Sequence, residues 1–172
     1  IMKHGTGYMA EMHTMPDFSD VTTLRSYALT IDANGNATGL KRIIAPTYMG
    51  GGGSIVPMED GGFVISHNEN TGDPDFNIYR IGGTGNVIWA KKYPRPYAQY
   101  NTMLRPTNDG GFVTVGYTGN AGNYDMYIVK TDAEGNSPGC DVVPVQVSTE
   151  TPSFSTYDAK WRLYQGITAY PI

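Results

Sequence analysis

Two short runs of Asp, Asn and Gly are the first candidates for chemistry in this chain. Residues 32–36 read Asp-Ala-Asn-Gly-Asn, and residues 132–136 read Asp-Ala-Glu-Gly-Asn. Oxygen side chains around a glycine bend suit a hard cation such as calcium. Neither run has the later bidentate Glu of a calcium loop, and the matching run at 82–86 has no carboxylate. The pattern favours turns whose Asp and Asn bond their own backbone. It predicts no metal and no cofactor, with calcium as the alternative.

Histidines and paired acidic residues are the next candidates, because either could serve acid–base catalysis. His4, His13 and His67 share no spacing that would place them on one face of a strand or helix, and no Asp or Glu stands in an obvious relay. The acidic pairs Glu59–Asp60 and Asp73–Asp75 fall in turn-like sequence. We therefore predict no catalytic residue and no enzyme.

Tyrosines between residues 93 and 100 form the best candidate for a binding site. Tyr93, Tyr97 and Tyr100 surround Arg95 in the run Tyr-Pro-Arg-Pro-Tyr-Ala-Gln-Tyr. Exposed tyrosine beside arginine would suit sugar stacking or contact with another protein. The alternative is that these rings fill space between neighbouring sheets.

A repeated unit must hold these residues in place. Gly-Asn recurs at 35, 85 and 135, a period of fifty residues, and Asp-Gly-Gly-Phe at 60–63 recurs at 109–112. A degenerate copy, Gly-Thr-Gly-Tyr, stands at 5–8. Tight hairpins need a positive φ, which glycine supplies, and we expect it at Gly62 and Gly111 in particular. The predicted turn residues are Gly35, Asn36, Asp60, Gly61, Gly62, Gly85, Asn86, Asp109, Gly110, Gly111, Gly135 and Asn136.

Each unit predicts four short strands, clearest at 54–58, 62–67, 76–81 and 86–93. Several are apolar at consecutive positions, which indicates that both sheet faces are covered. The sequence therefore predicts an all-β fold of three four-stranded antiparallel blades, a partial β-propeller. The predicted repeat region is 1–143, with blades at about 1–43, 44–93 and 94–143. Because propellers close with roughly four to eight blades, three fall short.

The end of the chain follows no repeat. Pro138 stands where the fourth strand of the third unit should run, and proline cannot donate to a ladder. Cys140 is the only cysteine, so it is a free thiol or pairs outside this sequence. Residues 144–172 are predicted to be a β-prone extension that donates a strand. Val142–Val147 is a strand candidate, and 157–165 could be a short helix or, as we prefer, a strand.

Composition excludes several classes of protein. The chain has 172 residues, a formal net charge of −4 and no run of Lys or Arg longer than two, which argues against nucleic-acid binding. No apolar run approaches the roughly 18 residues of a membrane span. Thirteen Tyr and two Trp argue against disorder.

Three segments carry a resemblance to a known class of proteins. They are Asp-Gly-Gly-Phe-Val at 60–64 and 109–113, Val-Ile-Trp-Ala-Lys-Lys-Tyr at 87–93, and Asp-Met-Tyr-Ile-Val-Lys-Thr-Asp-Ala-Glu-Gly-Asn at 125–136. The unit resembles the repeat of large secreted bacterial and archaeal β-propeller proteins, and is most similar to surface proteins of the Bacteroidetes type. The resemblance covers residues 5–140 and implies an extracellular or cell-surface setting, with no catalytic residues to carry over.

The function we predict is a non-catalytic structural or adhesive repeat protein within a larger surface or filamentous assembly. The rest of a larger propeller, or neighbouring copies of the chain, would complete it. The alternative is a glycan- or protein-binding module of a secreted enzyme.

Overall fold

Antiparallel β-sheets make up the regular structure of the described chain. The computed structural model describes residues 1–14, 25–46, 49–69, 74–120 and 122–153. Every regular element within these ranges is a β-strand, and every strand pair is antiparallel. The prediction of an all-β antiparallel chain is confirmed for this part of the sequence.

Three sheets follow the three repeated units. The first contains β1 (Met2–His4), β2 (Gly7–Thr14), β3 (Arg25–Ile31) and β4 (Ala37–Ile44). The second contains β5 (Met49–Pro57), β6 (Phe63–Glu69), β7 (Phe76–Ile81) and β8 (Val87–Lys92). The third contains β9 (Gln99–Pro106), β10 (Phe112–Asn120) and β11 (Asn123–Thr131).

The prediction of four strands in every unit is wrong for the third unit. Its sheet has three strands, in the order β11-β10-β9, and residues 137–142 form no strand. Pro138 falls in that segment and lacks the N–H that a ladder needs. Among the described residues, β11 therefore has a neighbour on one side only.

Matching turns show that the three units are equivalent. In each Gly-Asn turn, the N–H of residue 32, 82 or 132 donates to the carbonyl of the Asn four residues later. The N–H of Gly35, Gly85 or Gly135 donates back to the first residue of its turn. All three glycines have positive φ, at 87°, 92° and 75°. The third strands β3, β7 and β11 then pair with the second strand of their own unit in the same way.

The expectation of positive φ at Gly62 and Gly111 is wrong. Positive φ falls one residue earlier in each turn, at Gly61 (79°) and Gly110 (83°). A second requirement explains the second glycine of each pair. A Cβ at Gly62 would collide with the carbonyl oxygen of Ile81, and a Cβ at Gly111 would collide with that of Thr131. The backbone at these positions is packed too closely for a side chain.

Replacing Gly111 with alanine is expected to lower the free energy of unfolding by about 1–3 kcal/mol, because the added methyl overpacks a backbone carbonyl. The matched control is Gly39→Ala, where the nearest atoms to an added Cβ lie 3.5 Å away on the Thr30 side chain. Denaturant unfolding of both variants checks this. Equal stability of the two would contradict the close approach at Gly111.

The second sheet lies between the other two and is covered on both faces. Towards the first sheet it buries Ile55, Phe63, Ile65, Tyr79 and Ile81 against Met9, Ala28 and Ile43. Towards the third it buries Val56, Val64, Phe76, Ile78 and Tyr93 against Leu104, Phe112 and Val129. The prediction from the consecutive apolar positions is therefore confirmed for this sheet.

Lysines at matching repeat positions of the first and second units lie beside the turn of the next unit, and Lys91 bonds to that turn. Lys91 donates to the carbonyl of Glu134 and to the side chain of Asn136, both at 2.6 Å. Lys41, one period earlier, lies against Gly85 in the turn of the second unit. Trp89 adds an N–H bond to the carbonyl of Ala133 at 3.1 Å.

The tail adds a fifth strand to two sheets of its own chain. β12 (Val143–Pro144) pairs with β8, and β13 (Ser148–Glu150) pairs with β4. The predicted strand Val142–Val147 is therefore shorter than expected, and a second strand follows it. Val145 and Val147, between the two strands, pack against the core shared by the first and second sheets. The candidate at 157–165 lies outside the described residues.

A chain that ends at Cys140 is expected to lose on the order of 2–4 kcal/mol of stability relative to one that ends at Ser153. The shorter chain exposes the edges of β4 and β8 and lacks Val145 and Val147, so it also exposes the part of the core that these two side chains cover. Thermal unfolding and solubility of the two truncated chains provide the measurement. Equal melting temperatures would show that the tail strands contribute no stability.

Candidate binding faces

The four residues predicted to bind a ligand do not form one site. Tyr93 is fully buried, stacks on Phe76 with ring centres 5.0 Å apart, and donates its hydroxyl to the carbonyl of Gly135 at 2.7 Å. Burial raises the pKa of the Tyr93 hydroxyl. The exposure that a binding role would require is absent at Tyr93, which fills the space between the second and third sheets.

Arg95 makes its contacts with other residues of the same chain. Its guanidinium donates to the hydroxyl of Tyr127 at 3.2 Å and lies 5.6 Å from the centre of that ring. It also lies 3.5 Å from the sulfur of Cys140, which is a free thiol. The hydrogen bond to Tyr127 raises the pKa of Arg95. These contacts hold the segment after the third unit against β11.

Tyr100 belongs to an aromatic cluster on the face of the third sheet that points away from the second sheet. Its ring stacks on Tyr117 at 4.9 Å, and Tyr124 meets Tyr117 edge to face at 5.6 Å. We call Tyr100, Tyr117 and Tyr124 the tyrosine cluster. Tyr97 is exposed as well. Tyr117 and Tyr124 were not predicted as binding residues. The β10–β11 register brings them together, and the alternation of side chains along the strands could have indicated them.

The centre of this outward face of the third sheet is apolar, and Arg105 and Lys130, both directly opposite Val113, lie at the end of the face near the Asp-Gly-Gly-Phe turn. Met126 is 74% exposed, Ile128 is 52% exposed, and Met103 is also exposed. On β10, Val115 lies directly opposite Ile128, and Tyr117 lies directly opposite Met126. The face therefore presents a continuous surface of methionine, isoleucine and tyrosine side chains.

The repeat shows which face of the second sheet corresponds to this outward face of the third sheet. Phe76 and Ile78 stand fifty residues before Met126 and Ile128, and Val64 precedes Val113 by one copy of the Asp-Gly-Gly-Phe turn. All three residues of the second sheet are buried against the third sheet. The outward face of the third sheet is thus the counterpart of a face that another sheet covers.

The outward face of the first sheet corresponds to the other side of the same sheet-to-sheet contact. Tyr8, Leu29 and Ile31 occupy the repeat positions of Phe63, Tyr79 and Ile81, which are buried against the preceding sheet. Tyr8 is nevertheless 46% exposed. Leu29 and Ile31 are partly buried. No described sheet covers the outward face of the first or of the third sheet, so the two halves of one repeated contact lie at opposite ends of the stack.

The acidic residues of the Gly-Asn turns accept hydrogen bonds from other residues of the same turn. Asp32 accepts N–H bonds from Asn34 and Asn36 at 2.9 and 2.8 Å and a side-chain amide bond from Asn36. Asp132 repeats the contacts with Asn136. These bonds, first of all that from the Asn36 side chain for Asp32, lower the pKa of both carboxyls. Their oxygens are therefore engaged within the turns.

The remaining predicted turn acids form ion pairs. Asp60 contacts Arg80 at 2.6 Å, and Asp109 contacts Lys130 at 2.7 Å, which lowers the pKa of Asp109. Asp75 pairs with Lys92 at 3.2 Å, whereas Asp73 lies outside the described residues. In the ranges that the structure covers, no three His, Cys, Asp or Glu side chains are grouped closely enough to hold a metal ion.

A polar relay that the sequence analysis did not find lies between the first two sheets. His13 contacts the carboxylate of Glu11 at 3.0 Å and the hydroxyl of Ser26 at 2.9 Å. Glu11 and His13 share a strand face, and Ser26 is directly opposite His13 on β3. Ser26 is almost fully buried, which closes its hydroxyl to a substrate. The trio has the composition of a hydrolase relay without the access that a nucleophile needs.

Of the three histidines, all of which the structure describes, His67 alone is buried. It is enclosed in the second sheet, its Nε2 lies 3.1 Å from the Tyr79 hydroxyl, and its Nδ1 has no hydrogen-bond partner. Burial, and then the nearby charge of His13, lower the pKa of His67 to about 3. A neutral ring at this position serves packing rather than proton transfer at neutral pH.

Neither known protein families nor curated proteins include a significant match to this sequence. In the described part of the chain, no helix has the length and apolar character to cross a membrane.

Proposed function

We propose that this chain is a non-catalytic structural repeat protein of the β-propeller type. It supplies three sheets to a larger assembly outside the cytosol, at a cell surface or in a filament. The observation that carries this proposal is the pair of uncovered outward faces. Each consists of repeat positions whose counterparts inside the chain are buried against another sheet.

The apolar content of these faces supports an assembly role. Exposed contiguous apolar surface on a protein marks an interaction site more often than scattered single residues do. Met126 and Ile128 lie side by side with Val115 and Tyr117 across two strands. The acidic residues of the turns, and the Glu11–His13–Ser26 relay with its buried hydroxyl, give no competing support to an enzyme.

Footprinting of the native particle tests this function. Hydroxyl radicals are applied to material isolated from the producing cells and to the purified chain diluted until it is monomeric. We expect strong protection of Met126 in the native particle, with Ile88, on β8 and 52% exposed, as the unprotected control. Equal modification of Met126 in both samples would contradict the assembly role. Recovery in the cytosolic fraction alone would contradict the surface setting.

A chelator is expected to leave the melting temperature unchanged, because the turn carboxylates are already held by amide groups and by lysine or arginine. Calorimetry with and without excess EDTA makes the comparison, since a tightly bound cation would raise the stability of the folded state. A fall of many degrees on chelation would restore calcium as a component of the turns.

A second candidate function, glycan binding, has one specific observation in its favour. The tyrosine cluster departs from the repeat, because Asn68 and Pro74 stand in the second unit where Tyr117 and Tyr124 stand in the third. Stacked, partly exposed tyrosines offer both ring faces and hydroxyls to a sugar. A glycan array, followed by titration of Tyr117→Ala with Tyr8→Ala as control, tests it. Loss of binding in the first variant alone would favour this function.

A further inference from the structure

The two uncovered faces of the chain are complementary to each other. The third sheet ends in the kind of face that the second sheet presents to its successor, through Met126 and Ile128. The first sheet ends in the kind of face that the second and third sheets present to their predecessor, through Tyr8. One copy of the chain therefore offers both halves of a contact that its own three sheets make twice.

We propose that the partner on these faces is a second copy of this chain, and that two copies close head to tail into a ring of six sheets. The outward face of the third sheet of each copy packs on the outward face of the first sheet of the other. This inference rests on the proposed assembly function and names its partner. It also makes both apolar faces buried in the native particle.

Ring closure follows from how the sheets approach each other. β5 lies beside β1 and β2 of the first sheet and beside β9 of the third, so the sheets come together along their first strands. The fourth strand of the second unit, β8, reaches the third unit through long side chains, since Trp89 and Lys91 donate to the carbonyls of Ala133 and Glu134 in its turn. Sheets that meet along one edge and diverge at the other fan out around an axis.

The number of copies follows from the size of such rings. A contact between two different faces produces either a closed ring or an open filament, depending on the rotation per step. Radial sheet arrays close with roughly four to eight sheets. With the three sheets that the described residues form, two copies supply six, whereas one supplies three and a third copy would bring the total to nine. Two copies are therefore the assembly that fits.

Sedimentation equilibrium of the full chain across a wide concentration range tests the ring. We expect a mass of about 37 kDa, twice the 18.7 kDa of the chain, with no larger species. Ile128→Lys is expected to weaken the dimer about thirtyfold or more, because it places a charge at the centre of an apolar contact. Ile88→Lys is the matched control, since both isoleucines are 52% exposed but Ile88 lies on β8, away from the outward faces.

A mixing experiment tests the head-to-tail arrangement. Tyr8→Lys should also prevent the closed dimer, although Tyr8 lies at the opposite end of the stack from Ile128. Mixing the Tyr8→Lys and Ile128→Lys chains should restore a weaker, open dimer, because one intact face remains on each partner. A dimer of Tyr8→Lys as stable as the original would instead show that two third sheets pair with each other, and would overturn the proposal.

Two other outcomes would overturn the ring. A chain that stays monomeric at all concentrations has no self-complementary contact, and a series of ever larger species means that the rotation does not close. Protection of Met126 in native material, alongside a monomeric purified chain, would reject the second copy while leaving the assembly function intact. Equal modification of Met126 would reject that function itself.

Discussion

Replacing Ile78 with alanine is expected to lower the free energy of unfolding by about 2–5 kcal/mol, a large share of the roughly 5–15 kcal/mol that holds a domain together. Ile78 has no exposed surface and lies in the core between the second and third sheets. Truncation removes its buried methyl and methylene groups and leaves a cavity that the close-packed sheets fill only in part. Denaturant unfolding gives the measurement.

The repeat provides the control for this variant. Ile128 occupies the same position one period later and has the same side chain, but it lies on the uncovered face of the third sheet. In the monomer, at concentrations low enough to prevent association, Ile128→Ala is expected to change stability by no more than about 0.5 kcal/mol. Similar losses at both positions would mean that the outward face of the third sheet is covered within the chain.

Acidification is expected to destabilise the chain through His67. The pKa of His67 is lowered from 6.5 to about 3 in the folded chain, so the unfolded chain takes up the proton first as the pH falls. Its contribution to stability is complete above the unfolded pKa and is lost progressively below it. Between these two pKa values, the free energy of unfolding falls by up to about 1.4 kcal/mol for each unit by which the pH decreases.

The variant His67→Gln isolates this contribution. Its unfolding free energy should depend less on pH between about pH 6 and 4.5, a window above the range in which most carboxyls titrate. The unsubstituted chain, measured over the same pH range, provides the reference slope. An unchanged slope in the His67 variant would contradict the burial of a neutral ring between the sheets.

Local chemistry is the part of this protein that the sequence determined. The sequence predicted the three Gly-Asn turns and the third strand that precedes each of them. It also predicted the four strands of the first and second units. Each depends on residues within a few positions of one another. A tight turn needs glycine at a positive φ, and Asp32 or Asp132 bonds amides of its own turn. The failure at Gly62 and Gly111 arises from a contact across the strand pair, which sequence spacing does not contain.

Tertiary structure decided which of these elements are covered and which side chains meet. Tyr93 and Tyr100 belong to one short run, yet Tyr93 is buried against Phe76 whereas Tyr100 joins Tyr117 on an outward face. Glu11, His13 and Ser26 meet only because β2 and β3 pair in one register. The tail strands likewise pair with strands some fifty and one hundred residues earlier. Such contacts depend on the packing of whole sheets. Burial stabilises only a face that packs against another sheet, and the repeated sequence is similar on covered and uncovered faces.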